Sequence, residues 1–245
     1  MTIKILGHRG VNQPENISLP YQNTLEAFNY AAEKNADGFE LDVISSKDGK
    51  CFVIHDDDTS KHGGKGIITR LNAAEIKKLK LYGKYNIPTL AEVLDIFSRK
   101  NRFINIEVKQ PGIVEQVIKE ITASLYPMEN ILMSSFVHSD LGVARKAHRD
   151  ILIGLLFGRE SRDNPGYEQY IVHLSEKLAP TAFCMEKTLP YLSVLQSKNE
   201  KFFWTIKKED MTNNLVEGLL MYENVNFITD YPGELKNFLS SGKPG

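Results

Sequence analysis

Cysteine is scarce. The chain has two in 245 residues, Cys51 and Cys184, far apart and each inside an apolar run. That pattern gives neither a disulfide framework nor a metal-ligand spacing, so both read as reduced core residues of a cytosolic protein. An excess of charge is missing too. Thirty Lys and Arg balance 31 Asp and Glu, a net charge of −1. This excludes the basic surface that nucleic-acid binding requires. No apolar run approaches the roughly 18 residues of a membrane span. Met1-Thr2-Ile3-Lys4 reads as no secretory leader, because charge follows at once, and a cytoplasmic location is expected. No linker or composition shift divides the chain, so one domain over residues 1–245 is expected. A Gly-rich phosphate loop after the first strand is absent as well, which disfavours the runner-up fold, a doubly wound open sheet.

What is present centres on Glu40-Leu41-Asp42-Val43. Phe39, Leu41 and Val43 form one face of a strand, and Glu40 and Asp42 share the other. Such a pair alone is ordinarily the solvated face of an edge strand. Buried, two adjacent carboxylates repel and call for a cation. Asp48-Gly49 then signals a hairpin, and Cys51 to Ile54 forms its return arm, followed by His55-Asp56. A two-residue turn would pair 47 with 50, 45 with 52 and therefore 42 with 55. Paired residues share a face, so His55 is expected beside the carboxylates.

Strand and helix signals alternate from end to end. Strands are expected at 3–7, 38–44, 103–109, 131–136, 151–157, 182–185, 201–206 and 226–230. Helices are expected from Thr24, which caps the first, and at 73–79, 90–97, 113–125, 139–148, 167–178, 189–198, 210–222 and up to 239. Pro14 and Pro20 break the loop after the first strand, and 240–245 reads as a frayed tail. Setting the hairpin arm aside, eight strand–helix units in about 250 residues describe a (β/α)8 barrel, here with a small insertion over 57–88 after the hairpin.

In such a barrel the chemistry lies at the C-terminal strand ends. Those ends carry His8 and Arg9, then Glu40 and Asp42 with His55, then Glu107 and Lys109, then Ser134 and Ser135, Trp204, and finally Asp230. Three carboxylates make an all-oxygen site, which suits Mg²⁺ or Ca²⁺ better than zinc. Arg9 and Lys109 add the fixed positive charge that a phosphate group wants. Two histidines could serve as acid and base. Together these residues describe metal-assisted phosphodiester cleavage. Arg9, next in sequence, favours an uncharged His8, which would make His8 the base and His55 the acid. His62, His138, His148 and His173 read as surface or helix residues.

A set of motifs in fixed order resembles the glycerophosphodiester phosphodiesterase family. They are His8-Arg9-Gly10, Pro14-Glu15-Asn16, Asn23 to Phe28, Glu40 to Val43, Lys47-Asp48-Gly49, His55-Asp56, Glu107-Val108-Lys109, Ser135-Phe136, Trp204-Thr205 and Thr229 to Pro232. The resemblance implies a (β/α)8 barrel, a divalent metal, and hydrolysis of a small-molecule glycerophosphodiester to glycerol 3-phosphate and an alcohol. It implies His8 and His55 as the acid–base pair, Glu40, Asp42 and Glu107 as metal ligands, Arg9 and Lys109 on phosphate, and Trp204 on the glycerol side. Three departures stand out. Ile17 to Gln22 split the Glu-Asn-Thr motif, leaving Glu15 and Gln22 as alternatives for its Glu position and lengthening a loop that should overhang the site. Lys207 stands where an Asn often follows the Trp. Asp57, Asp58, Lys61 and His62 replace the usual Arg-Thr-Thr, so the head group stays open, as do the choice of metal and the oligomeric state. Two rivals differ in class: a lysophospholipase D with an apolar rim, to which Ile17, Leu19 and Tyr21 would contribute, and an inactive phosphate-binding barrel.

Overall fold

The computed structural model of the protein describes all residues except 1, 14, 17, 160–163, 165, 190 and 242–245. Pro14 as a breaker, Ile17 as part of an apolar rim and most of the expected tail therefore lie outside the described residues. Nine strands are described: β1 (Ile5–Gly7), β2 (Gly38–Ser45), β3 (Cys51–Val53), β4 (Phe103–Val108), β5 (Ile131–Ser135), β6 (Leu152–Phe157), β7 (Ala182–Glu186), β8 (Glu200–Ile206) and β9 (Val225–Thr229). The helices between them are α1 (Leu25–Glu33), α2 (Ala73–Ile76), α3 (Leu90–Phe97), α4 (Val114–Ala123), α5 (His138–Ala147), α6 (Tyr167–Leu178), α7 (Leu192–Leu195), α8 (Lys208–Thr212), α9 (Leu215–Leu219) and α10 (Pro232–Ser240).

Eight strands run parallel in the order β1, β2, β4, β5, β6, β7, β8, β9, and β9 returns to β1. The sheet is closed, so this is a (β/α)8 barrel, as the alternation implied. β1 is short and pairs with β2 only at Leu6–Gly38 and Gly7–Phe39. The upper half of β2 is thereby left free, and β3 adds to it antiparallel.

Alternation sorts the side chains into layers. Phe39, Leu41 and Val43 face outward, where Phe39 stacks on Phe28 of α1 at 4.3 Å and meets Phe97 of α3 edge-on at 4.9 Å. Burying one such ring is worth about 2–3 kcal/mol. Leu6, Leu132, Leu156, Cys184, Phe202 and Ile228 fill the barrel interior. A third small core, around Ile44, Phe52, Ile68 and Leu81, seats segment 57–88 on the β2–β3 ladder. Thr24 caps α1, accepting from the Ala27 N–H, and Thr89 caps α3 with a reciprocal Glu92 bond. Both cysteines are buried and unpaired.

Three expectations are corrected. The helix expected at 189–198 is a single turn, α7. The helix expected at 210–222 breaks into α8 and α9, because Asn214 adopts a left-handed conformation with φ of 64°. The third correction is the hairpin register. Val43 opposes Val53 and Ser45 opposes Cys51, so Asp42 falls opposite Ile54 and not His55. The cause is the turn. The Asp48 carboxylate is held by the Ser46 hydroxyl at 2.7 Å and by the Ala73 N–H of α2 at 2.9 Å. Lys47, Asp48 and Gly49 then form a three-residue loop, with Gly49 at φ of 84°.

Candidate active site

His55 reaches the carboxylates in spite of the register. β3 ends at Val53, and the chain leaves the ladder before His55. The His55 Nε2 lies 3.1 Å from Lys109 Nζ, and Lys109 Nζ lies 3.1 Å from Glu107 Oε1 and 3.8 Å from Asp42 Oδ1. Lys109 follows β4, whose Asp42–Glu107 register with β2 sets the two carboxylates side by side.

On the other flank, β1 ends in His8-Arg9-Gly10. Arg9 has a φ of 53°, a backbone state rare outside glycine. It points the Arg9 N–H at Glu40 Oε2, 2.9 Å away, and sets the Arg9 Nε 3.2 Å from Asp42 Oδ2. Gly10 completes this turn at φ of 78°, where an added Cβ would meet the Ala27 backbone at 2.6 Å. His8 Nδ1 lies 2.7 Å from Asp230 Oδ1 at the end of β9.

Glu40, Asp42 and Glu107 form the metal-binding candidate. One carboxylate oxygen of each lies within 4.8 Å of the other two. Glu40 and Asp42 are almost fully buried. The Asp42 Oδ1 is buried with no hydrogen-bond partner, its ion-pair partner Lys109 Nζ standing 3.8 Å away. Hard oxygen donors, one of them unsatisfied, fit Mg²⁺ or Ca²⁺. With no cation considered, burial and the neighbouring Asp42 push Glu40 well above the usual carboxylate range. The same two causes push Glu107 up to about 7, against the pull of Lys109. Burial works to raise Asp42 as well, but Arg9, Lys109 and His55 outweigh it and hold it low. Burial lowers His55, helped by Arg9 and Lys109 and opposed by Asp42. Burial would also lower Lys109, but Glu107 and Asp42 keep it raised and charged.

Several groups at the site escaped the sequence reading. Asn23 brackets Asp42, donating to its Oδ2 at 2.8 Å and accepting from its N–H at 3.3 Å. Gln22 accepts from Arg9 Nη1 at 2.8 Å, while Glu15 is exposed. Asp56 joins two histidines, accepting from His55 Nδ1 at 2.7 Å and from His62 Nε2 at 2.5 Å. His62, the last residue of a short 3-10 helix, is half-buried and tied to the site through Asp56. Gln13 donates to the Asp230 carbonyl at 2.8 Å. The His55-Asp56 and Thr229-Asp230 motifs pointed at two of these carboxylates, whereas nothing local pointed at His62. Trp204 sits further round the mouth on β8, edge-on to Phe136 at 6.0 Å. It lines a shallow cavity of about 340 Å³ with Lys207, Arg159 and Glu186. Ser134 and Ser135 are buried and spent on the Asn105 side chain and the Val108 carbonyl.

A closed barrel with cations, carboxylates and two carboxylate-held imidazoles gathered at its C-terminal mouth is the layout of a barrel enzyme for an anionic substrate. The chain belongs to the glycerophosphoryl diester phosphodiesterase family, whose model matches residues 8–234. A glycerophosphodiester phosphodiesterase of Caldanaerobacter subterraneus subsp. tengcongensis is 33% identical over 263 residues, covering 99% of this chain and 100% of that one. Another, from Bacillus altitudinis, is 36% identical over 169 residues, covering 62% of this chain and 66% of that one. Among solved structures, a phosphodiesterase of Oleispira antarctica in complex with the product sn-glycerol-3-phosphate shares the fold with a TM-score of 0.79 at 22% identity, covering 97% of this chain and 96% of that one. The glycerophosphodiester phosphodiesterase of Thermotoga maritima gives a TM-score of 0.76 at 27% identity, covering 97% and 98%. The chain is an enzyme of this class, a phosphoric diester hydrolase.

Proposed function

We propose that the enzyme hydrolyses glycerophosphodiesters to glycerol 3-phosphate and an alcohol, using a divalent cation, Mg²⁺ or Ca²⁺, held by Glu40, Asp42 and Glu107. The observation that supports this reading is the buried Asp42 Oδ1, which has no hydrogen-bond partner, on a carboxylate clustered with two others and flanked by Arg9 and Lys109. The cation supplies charge neutralisation on the phosphoryl oxygens when bound. Arg9 and Lys109 hold the phosphate and fix its orientation. Trp204 walls the glycerol side. The product found on the Oleispira antarctica protein supports glycerol 3-phosphate as the product here.

The two histidines divide the proton work. An ammonium only donates, so the Lys109 contact makes His55 Nε2 an acceptor, and its Nδ1–H goes to Asp56. A neutral ring whose Nε2 carries a lone pair and no proton can act as a base. His55 takes the proton from the attacking oxygen, be it water or the neighbouring glycerol hydroxyl. His8, its Nδ1–H on Asp230, delivers a proton from Nε2 to the leaving alkoxide. This reverses the assignment drawn from the Arg9 neighbour alone, because Lys109 lies beside His55 in space.

The test compares glycerophosphoglycerol with a p-nitrophenyl phosphodiester, whose leaving group needs no acid. His55→Ala is expected to lose about 10²–10⁴-fold on both substrates, and His8→Ala that much only on the first. The opposite pattern swaps the roles. Near-wild-type rates for both variants would end the two-histidine mechanism.

A further inference from the structure

The loop after β1 and segment 57–88 enclose a cavity of about 430 Å³. Its walls are one hydrogen bond away from the groups that hold the catalytic residues. Gln13 bonds Asp230, the partner of His8. His62 bonds Asp56, the partner of His55, and Gln22 bonds Arg9. All three line the cavity. Trp204, on β8, does not line it. The cavity therefore adjoins Arg9, the cation assigned to phosphate, and shares Tyr21, Gln22 and His62 with a small cleft lined by His55, in a different sector of the mouth from the Trp204 wall.

Its chemistry is specific. Tyr21 lies 5.1 Å from Tyr82, edge-on, and 6.2 Å from Tyr85, giving flat faces around one space. Asn12, Gln13, Asn16 and Gln22 bring four carboxamides. The Asn12 carboxamide and the Tyr82 and Tyr85 hydroxyls have no hydrogen-bond partner among the described residues. Tyrosine cages suit a quaternary ammonium where the cation meets bare ring faces. Here Lys84 Nζ already stands 4.8 Å over the Tyr85 ring and lines the cavity, and no carboxylate lines it among the described residues. A cationic head group would meet a like charge with no counter-charge. Carboxamides and free hydroxyls pair with vicinal hydroxyls, and ring faces stack on the C–H faces of a polyol.

We propose that this cavity is the subsite for the leaving alcohol and that it selects a neutral polyol, of the inositol or glycerol class, over choline or ethanolamine. The proposal rests on the hydrolase reading above.

Two measurements test it. The first is kcat/KM, with added Mg²⁺ or Ca²⁺, for glycerophosphoinositol, glycerophosphoglycerol, glycerophosphocholine, glycerophosphoethanolamine and lysophosphatidylcholine. The polyol diesters are expected to lead by about tenfold, which one or two hydrogen bonds supply. The double variant Asn12→Ala/Tyr82→Ala, at two solvent-reached positions, should erase that lead through KM and leave glycerophosphoethanolamine within about twofold. The second is saturation-transfer NMR of myo-inositol against choline on wild type and the double variant, which reads the cavity without turnover. Inositol transfer that the variant abolishes supports the subsite. Inositol transfer with no hydrolysis of any diester would keep the subsite and sink the hydrolase reading. Hydrolysis without inositol transfer, a lead for choline or the lysolipid, or equal losses on every diester would each overturn the proposal.

Discussion

Glu107 carries the combined cost of its burial and of the neighbouring Asp42 carboxylate. Its displacement from the ordinary 4.5 to about 7 in the cation-free protein corresponds to about 3 kcal/mol. The sign follows from proton counting. A folded state with the higher pKa binds more protons than the unfolded chain, so the stabilising share is complete below 4.5 and is lost as pH rises to about 7. Above that it is flat. Glu107→Gln carries no such dependence. In chelator, the advantage of Glu107→Gln over wild type should therefore grow by about 2 kcal/mol between pH 5 and pH 8. For a chain of this length that is about 4–8 °C in Tm. The constant loss of the Lys109 contact, 3.1 Å in wild type, drops out of the comparison between the two pH values. Calorimetry of both proteins at four pH values suffices. Saturating Mg²⁺ or Ca²⁺ should raise wild-type Tm at pH 8 and leave the variant less affected. A variant-minus-wild-type difference that does not change with pH, or that shrinks as pH rises, would refute the electrostatic reading of the trio.

Chelation should abolish turnover on every diester, and Mg²⁺ or Ca²⁺ should restore it; full activity after exhaustive chelation removes the metal assignment. Trp204→Ala should raise KM for glycerophosphodiesters more than for bis-p-nitrophenyl phosphate, whereas equal losses would make the ring a packing residue against Phe136. His62→Ala should lower kcat by on the order of tenfold at unchanged KM, because Asp56 loses one of its two imidazoles and holds His55 less firmly; an unchanged kcat would show that the His55–Asp56 bond suffices alone.

The barrel was legible because its two periodicities are local. Alternation put Phe39, Leu41 and Val43 out and Glu40 and Asp42 in, and Thr24 capped the first helix as its position suggested. The site carboxylates, both histidines and the two cations could be placed because strand ends in a barrel meet at one mouth. The hairpin register could not. Asp48 accepts from Ala73, 25 residues away in sequence, and that bond decides the turn. The break at Asn214 and the single turn of α7 likewise reflect packing that helix periodicity does not encode. The proton roles proposed here differ from those drawn from sequence for a related reason. Sequence shows Arg9 next to His8, but Lys109 lies 54 residues from His55 and touches it. Asn23 and Gln22 act through a loop whose path no period describes.

The double grip on Asp56 bears on how this protein could be rebuilt. Segment 57–88 has its own small core and looks exchangeable, a cassette to be swapped with that of a relative to change what the enzyme accepts. Yet one end of it is sewn to His55, the proposed base, through His62 and Asp56, while the Asp57 carboxylate holds Thr69 by both its N–H and its hydroxyl. A graft that keeps the barrel intact but replaces this segment would alter the turnover rate together with selectivity. The two traits are mechanically joined, and separating them requires keeping His62, or a donor in its place, on whatever chain is grafted in.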